Sequence, residues 1–181
     1  MIVSLPWKAG DKGVVAPTVS PILLFYSYAP EDASLYTDFE TYLKPLHRQV
    51  SFWHVGKATA GADVTREVAK WLDEANVIII LVTANYLASD LLCLGEVERA
   101  MERHESDEVR VIPVIIGHCD WTTAPFAKLK PLPTGGKPVS AWSDKAEAWT
   151  DVARGIRQAI EEFFGSGSGT APPSNAFQRT R

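Results

Sequence analysis

Side chains that could bind a ligand or catalyse a reaction lie at or just after the ends of three apolar runs of the sequence. Ser27 and Tyr28 directly follow the run at residues 22–26, and Trp53 and Lys57 lie at or just after the run at residues 50–55. The run at residues 77–82 is followed by hydroxyl, amide, thiol and carboxyl side chains, namely Thr83, Asn85, Tyr86, Ser89, Asp90, Cys93 and Glu96. Such side chains could bind a polar ligand, move a proton or supply a nucleophile.

The elements that must position these side chains alternate between strand and helix patterns. The predicted strands cover residues 22–26, 50–55, 77–82, 109–116 and 138–142, and amphipathic helices follow them, with Asp63 and Asp144 as N-caps of two. The run 77–82 is uniformly apolar and rich in β-branched residues, which is typical of a strand covered on both faces. The pattern predicts a flavodoxin-like, doubly wound α/β fold, with a five-stranded parallel sheet of order 2-1-3-4-5 and helices on both faces.

This topology predicts where a ligand site should lie. Open α/β sheets bind ligands beyond the carboxyl ends of their strands, at the point where the strand order reverses. In the predicted order that point lies between the first and third strands. The loops after residues 26 and 82 should therefore line one site, and the loop after the second strand, which contains His54 and Lys57, can fold over the same edge.

Composition bounds the class of protein. The 181 residues carry a net charge of −4, which argues against a duplex-DNA binder with a broad basic face. Two cysteines, Cys93 and Cys119, are too few for a disulfide framework and favour a reducing compartment. The longest apolar run is far shorter than the roughly 20 residues of a membrane span, and the N-terminus does not resemble a secretory signal. We therefore expect a soluble, cytoplasmic protein.

The two ends of the chain differ in composition from its middle. Residues 1–20 contain scattered Gly and Pro without a sustained period and are predicted to form an N-terminal arm. Residues 165–181 are rich in Gly, Ser and Pro, which predicts a flexible tail or linker. The folded domain is therefore expected to cover residues 21–164.

Several familiar sites are missing from the sequence. It contains neither GxGxxG after the first strand nor GxxxxGK[ST], which disfavours a dinucleotide fold, a P-loop and a flavin- or phosphate-binding flavodoxin. The third strand ends in Thr83, where a receiver domain needs a phosphorylatable Asp. No GxSxG elbow is present, and the spacing of His104, His118, Cys119 and Asp120 fits no common zinc site, so we expect no metal.

Four segments in order carry a family resemblance: LLFYSYAPED, WHVGKATAGADV, VIIILVTANYLASDLLCLGEVERAM and VIPVIIGHCDW. Together they resemble TIR (Toll/interleukin-1 receptor) domains over about residues 22–164, and the match is closest to the bacterial branch. The resemblance implies either an NAD-cleaving enzyme or an oligomerising adaptor. In the enzymatic members a Ser…Cys-x-x-Glu pattern carries the catalytic glutamate, which corresponds to Ser89, Cys93 and Glu96 here.

A lone carboxylate suits the reaction that the resemblance implies. Most glycosidases use two carboxyl groups because the leaving alkoxide needs a proton. In NAD⁺ the leaving pyridinium departs as neutral nicotinamide, so Glu96 would need only to orient the ribose and stabilise the developing positive charge. Glu98 and Glu102 lack the motif and the position, and they are expected to face solvent.

The substrate-binding residues are predicted with alternatives. Ser27 and Tyr28 lie on the loop where relatives contact substrate, while Trp53 could stack on a base or pack in the core. Lys57 could meet a phosphate or be solvated. Ser89 and Cys93 complete the predicted set, although Cys93 is expected to pack rather than act as a nucleophile.

Two positions depart from the enzymatic pattern, and both bear on substrate affinity. Leu92 replaces an aromatic residue four positions before the glutamate, and Ala29-Pro30 replaces basic residues after the Ser-Tyr pair. The leading hypothesis is nonetheless an assembly-activated NAD⁺ glycohydrolase of prokaryotic immunity, releasing ADP-ribose or a cyclised form, with NAD⁺ as substrate and no cofactor. The resemblance implies that loop 56–62 docks on other TIR domains, with a sensor module in trans as a further partner. The alternative is a non-enzymatic TIR adaptor.

Overall fold

Four parallel strands form the centre of the domain. The structure is a computed structural model, and it describes residues 22–48, 50–89 and 95–165. The strands are β1 (Ile22–Ser27), β2 (Val50–His54), β3 (Val77–Val82) and β4 (Arg110–Ile115), in the order β2-β1-β3-β4. Each neighbouring pair is parallel, and every residue of β3 is buried. The first four predicted strands and their order are confirmed.

In the part of the chain that the structure describes, five α-helices connect and cover the strands. They are α1 (Ala33–Leu43), α2 (Val64–Glu74), α3 (Ala84–Ala88), α4 (Val97–Glu105) and α5 (Lys145–Gly165). Asp63 accepts a hydrogen bond from the Arg66 N–H at 3.2 Å, and Asp144 accepts one from the Ala146 N–H at 2.8 Å. Both predicted N-caps are thus confirmed, because each satisfies an amide that the first helical turn leaves without a partner.

The sheet separates two hydrophobic cores. On one face Tyr26 of β1 packs with residues of α1 and α5, among them Phe39 and Trp149. On the other face Phe25 packs with Trp53 and with residues of α2 and α4. Because alternate residues of a strand point to opposite faces, β1 contributes to both cores. Helices on both faces confirm the doubly wound, flavodoxin-like arrangement.

The predicted fifth strand at residues 138–142 is wrong. Val139–Ala141 forms a short 3-10 turn instead, and among the described residues the outer edge of β4 receives a single bridge, between Val114 and Leu132. Pro131 and Pro133 flank Leu132, and proline has no N–H to donate to a strand ladder. The apolar pattern of residues 138–142 reflects burial of Val139, which is 3% exposed, rather than strand pairing.

Asn76 ties three strands together at the start of β3. Its side-chain oxygen accepts from the Leu23 N–H at 2.9 Å, its N–H donates to the Leu23 carbonyl at 2.8 Å, and its carbonyl accepts from the Arg110 N–H at 3.0 Å. The residue is 5% exposed. We expect Asn76→Ala to lower the free energy of unfolding by about 1–3 kcal/mol in urea titrations, because the Leu23 amide loses its side-chain acceptor.

The control for this prediction is Gln158→Ala, which removes an exposed amide bonded to Glu162. Its free energy of unfolding should stay within about 0.5 kcal/mol of the wild-type value. An Asn76→Ala protein as stable as the control would show that the side-chain bond does not hold the strands.

Only the described residues bear on the predicted ends of the domain and on the possibility of a membrane-spanning helix. Within them, no helix combines the length and the hydrophobicity that a bilayer crossing requires. The predicted arm at residues 1–20 and nearly all of the predicted tail lie outside the described residues, so the domain boundaries stay predictions.

Candidate functional site

A chain of three hydrogen-bonding side chains lies at the carboxyl edge of the sheet. Ser27 is the last residue of β1, Tyr86 belongs to α3, and Glu96 directly precedes α4. The Ser27 hydroxyl donates to Glu96 Oε2 at 2.5 Å, and the Ser27 and Tyr86 oxygens are 3.0 Å apart. The loops after β1 and β3 therefore meet where the strand order reverses, as the topology predicts.

The number of protons on Ser27 determines which groups donate and which accept in this row of hydrogen bonds. A serine hydroxyl has one proton, so when it donates to an ionised Glu96 it must accept from Tyr86. Ser27 and Tyr86 are both buried, with exposed fractions of 3% and 0%. The carboxylate therefore receives a hydrogen bond from a serine that a tyrosine hydroxyl orients, and hydrogen bonds to charged groups are the stronger ones.

The Glu96 carboxyl group titrates near neutral pH. Its burial raises its pKa from 4.5 to about 7, and the hydrogen bond from Ser27 opposes part of that rise. Within the described ranges no lysine, arginine or histidine forms an ion pair with it. The carboxylate thus has no counter-charge among the described residues, so it can stabilise an incoming or developing positive charge.

Asp32 holds the same two loops together beside this chain. Its carboxylate accepts from the Thr83 hydroxyl at 2.5 Å and from the Asn85 amide at 2.9 Å. Thr83 in turn accepts from the Tyr86 N–H at 3.0 Å, which caps α3 and fixes the turn that presents Tyr86. The sequence predicts Asn85 and Tyr86 at this edge without a role for either, and their pairing with Asp32 and Ser27 depends on contacts more than 50 positions apart.

Tyr28 is packed inward rather than open to the edge. Its ring stacks on Tyr36 with centroids 5.0 Å apart, and its hydroxyl lies 3.1 Å from His54 Nδ1. That nitrogen also accepts from the Gly56 N–H at 3.2 Å, so it carries no proton and Tyr28 donates to it. Burial lowers the pKa of His54, which favours the neutral ring. His54 is the last residue of β2 and is 8% exposed, so it is a buried strand residue.

Two glycines shape the loop that follows β2. A Cβ atom at Gly56 would lie 2.9 Å from the His54 ring and 3.2 Å from the Tyr28 hydroxyl. Gly61 has a φ of +84°, a conformation that side-chain-bearing residues rarely adopt. The loop is therefore anchored at Gly56 and turned at Gly61.

Trp53 and Lys57 both contact other side chains or backbone of the domain. Trp53 is 6% exposed and its ring stacks between Phe25 and Trp71, with centroids 5.8 and 5.7 Å away. Of its two predicted roles, the structure places it in the core. Lys57 folds back on β2, donating to the Phe52 carbonyl at 2.9 Å with its ammonium 3.4 Å from the Phe52 ring centre.

The remaining predicted residues fall at or beyond the limit of the described chain. Ser89 is half-buried at the end of α3 and has no described side-chain contact with Glu96. Cys93 and Leu92 lie outside the described residues. Glu98 and Glu102 are exposed, as predicted. Among the described side chains, no group of three His, Cys, Asp or Glu residues could hold a metal ion.

Comparison with known proteins identifies the family. The family model described as "TIR domain" matches residues 24–150. "Uncharacterized protein y4lF" of Sinorhizobium fredii (strain NBRC 101917 / NGR234) is 39% identical over 155 residues, which is 84% of this chain and 47% of that protein. The chain thus spans about half the length of this relative.

One solved TIR-domain structure supports the fold, and a second is given for comparison. The TIR domain of the Toll-related receptor TRR-2 from Hydra magnipapillata superposes with a TM-score of 0.50 at 14% identity, covering 74% of this chain and 97% of that one. The TIR domains of the activated Roq1 resistosome, which recognises the pathogen effector XopQ, give a TM-score of 0.47 at 19% identity, covering 80% and 98%. The family match, together with this fold, shows that the chain belongs to the TIR-domain family.

Proposed function

We propose that this TIR domain is an NAD⁺ glycohydrolase with Glu96 as its catalytic carboxylate. One observation carries the proposal: the Glu96 carboxyl group lies at the strand-order reversal, receives a hydrogen bond from Ser27 and has no described counter-charge. A carboxylate held only to cap a helix or balance a lysine would be paired or solvated. The bacterial NAD-cleaving branch, which the sequence resembles, supplies the substrate class.

The reaction breaks one bond and forms one. The bond between ribose C1′ and the nicotinamide nitrogen breaks, and its electron pair neutralises the pyridinium. Water adds to C1′ and loses a proton, so NAD⁺ and water give nicotinamide, ADP-ribose and H⁺. The positive charge that develops on the ribose is the charge that an ionised Glu96 stabilises, and no general acid is needed for the leaving group.

In this proposal Ser27 and Tyr86 act on the Glu96 carboxylate and do not bind the substrate directly. Their hydrogen bonds fix the direction in which Glu96 points and favour its ionised form, because a donated hydrogen bond stabilises charge. If the adenine of the same substrate attacks C1′ instead of water, the product is a cyclised ADP-ribose. Both products pass through the same bond cleavage, so Glu96 has the same role in each.

Assembly is the second part of the proposal. We assign loop 56–62 to docking on another TIR domain, with a sensor module in trans as the trigger and the cytoplasm, which contains NAD⁺, as the place of action. The anchor at Gly56 and the turn at Gly61 support a loop that keeps its base while its exposed part contacts a neighbour. In this view the protein is an immune effector that depletes NAD⁺ when it assembles.

The test is incubation of the purified protein with NAD⁺ over a range of protein concentrations, followed by chromatography of the products. Nicotinamide release that rises more steeply than the protein concentration is expected, because assembly should activate the enzyme. A protein that self-associates at high concentration and releases no nicotinamide there would instead support the adaptor function.

A further inference from the structure

A concave site that Glu96 does not line lies beside β4. It is a cleft of about 480 Å³ between the first half of β4, the second half of α5 and the segment 129–134. Its apolar floor includes Val111, Ile112 and Leu132. Volumes of about 300–1,000 Å³ with an apolar floor and a few polar groups are typical of small-molecule sites.

The cleft lies along the edge of β4 where the described residues contain no fifth strand. Beyond the bridge at Val114, no described strand pairs with the outer edge of β4. Alternate residues of a strand direct their N–H and C=O groups to the same edge, and Pro113 and Ile115 bond outward to Leu132. Val111 therefore also presents its peptide groups outward, into the cleft, where a ligand can bind them.

The rim of the cleft is basic. Arg110, Lys130 and Arg154 line it, and none of them forms an ion pair with a described carboxylate. The Nε atom of Arg110 is buried and has no hydrogen-bond partner among the described residues. Cations that line a cleft without an ionic partner favour a ligand that carries anionic oxygens.

The acidic groups of the cleft are already engaged. Asp151 accepts from the Thr134 N–H at 2.7 Å, and Glu162 accepts from the Gln158 amide at 2.8 Å. His104 uses Nδ1 to contact the Val109 carbonyl at 3.1 Å. Three cations against two engaged carboxylates leave a local positive charge on a chain whose net charge is −4.

We propose that this cleft binds a phosphorylated organic molecule of about mononucleotide size. Arg110, Lys130 and Arg154 hold the phosphate, since guanidinium groups match phosphate oxygens bidentately and lysine adds a point charge. The apolar floor receives the body of the ligand. The site is separate from Glu96, because Arg110 pairs with Val77 at the amino ends of the strands, and β4 extends about 17 Å from there toward the opposite edge.

The experiment is an NMR titration of the ¹⁵N-labelled full chain with AMP and inorganic pyrophosphate, and with adenosine as the unphosphorylated control. We expect saturable shifts for AMP at the amides of Val111, Thr134 and Gly155, with a dissociation constant below about 1 mM. Adenosine should give none. The double variant Lys130→Glu/Arg154→Glu changes two exposed side chains and should weaken AMP binding at least about tenfold.

The matched control is Lys145→Glu/Arg157→Glu, which makes the same charge change at exposed positions of α5 outside the cleft. Its affinity for AMP should stay within about twofold of the wild-type value. The proposal is overturned if neither phosphate compound gives a saturable response in the cleft. It is also overturned if the shifts cluster around Ser27 and Gly95 alone, or if both double variants bind equally.

Discussion

Glu96→Gln is expected to lower nicotinamide release from NAD⁺ by at least about 10²–10³-fold, because the amide cannot stabilise the positive charge that develops on the ribose. Its shape is close to that of the carboxyl group, and its oxygen can still accept from Ser27. The fold and self-association should therefore persist. The measurement is the initial rate of nicotinamide release at equal concentrations of wild-type and variant protein, with circular dichroism and size-exclusion chromatography on the same samples.

The control is Glu98→Gln, two positions along the same segment at an exposed site of α4. It makes the same chemical change without touching the Ser27–Tyr86 chain, so its rate should stay within about twofold of the wild type. A Glu96→Gln protein that cleaves NAD⁺ at the rate of this control would remove Glu96 from the reaction.

Glu96→Gln should have a higher free energy of unfolding than the wild type at alkaline pH. Burial raises the pKa of Glu96 from 4.5 to about 7, so folding favours the protonated carboxyl group. Its favourable contribution is fully present below about pH 4.5 and is lost as the pH rises through about 7. Glutamine carries no charge, so we expect Glu96→Gln to exceed the wild type by about 1–3 kcal/mol above pH 7, and by much less near pH 4. Urea titrations at both pH values measure this difference.

Ser27→Ala is expected to shift the pH dependence of NAD⁺ cleavage toward alkaline pH. The Ser27 hydrogen bond lowers the Glu96 pKa against the effect of burial, so its removal raises that pKa further. Near pH 7 less carboxylate is ionised, and turnover should fall about tenfold or more, while near pH 9 most of the loss should be recovered. Profiles of kcat and KM against pH separate this effect from a loss of substrate binding.

Tyr86→Phe tests the hydrogen bond between the Tyr86 and Ser27 hydroxyls. Tyr86 orients Ser27 rather than Glu96, so the acidic limb of its profile should move in the same direction by a smaller amount. Ser106→Ala changes an exposed hydroxyl beyond α4 and should leave the profile in place. If Ser27→Ala lowers kcat equally at every pH, the serine contacts substrate instead of setting the ionisation of Glu96.

Local pattern was sufficient to predict most of the fold. The run 77–82 is apolar at every position and becomes a strand buried on both faces, and Asp63 and Asp144 cap helices because capping involves residues only a few positions apart. The prediction of a fifth strand was wrong for a non-local reason. Its place beside β4 is taken by Leu132, and residues 138–142 are apolar because Val139 is buried.

The candidate site was likewise predictable only in part. Topology brought Ser27 and Glu96 to one edge, since the carboxyl ends of parallel strands meet there. The 2.5 Å contact between them and the role of Tyr86 depend on how α3 and α4 pack, which no local pattern encodes. Trp53 and Tyr28 carry the residue types of a ligand site, but Trp71 and Tyr36 cover them.

The sequence by itself determined the family, the parallel sheet and the edge at which a carboxylate could act, because these follow from periodicity and from the order of motifs. Tertiary structure alone decided which side chains stay available there. It buried Trp53, folded Lys57 onto Phe52 and left Glu96 partly buried with a hydroxyl donor and no described counter-charge. Whether a polar side chain meets water, a partner or a ligand depends on neighbours distant in sequence, and burial by those neighbours sets its ionisation.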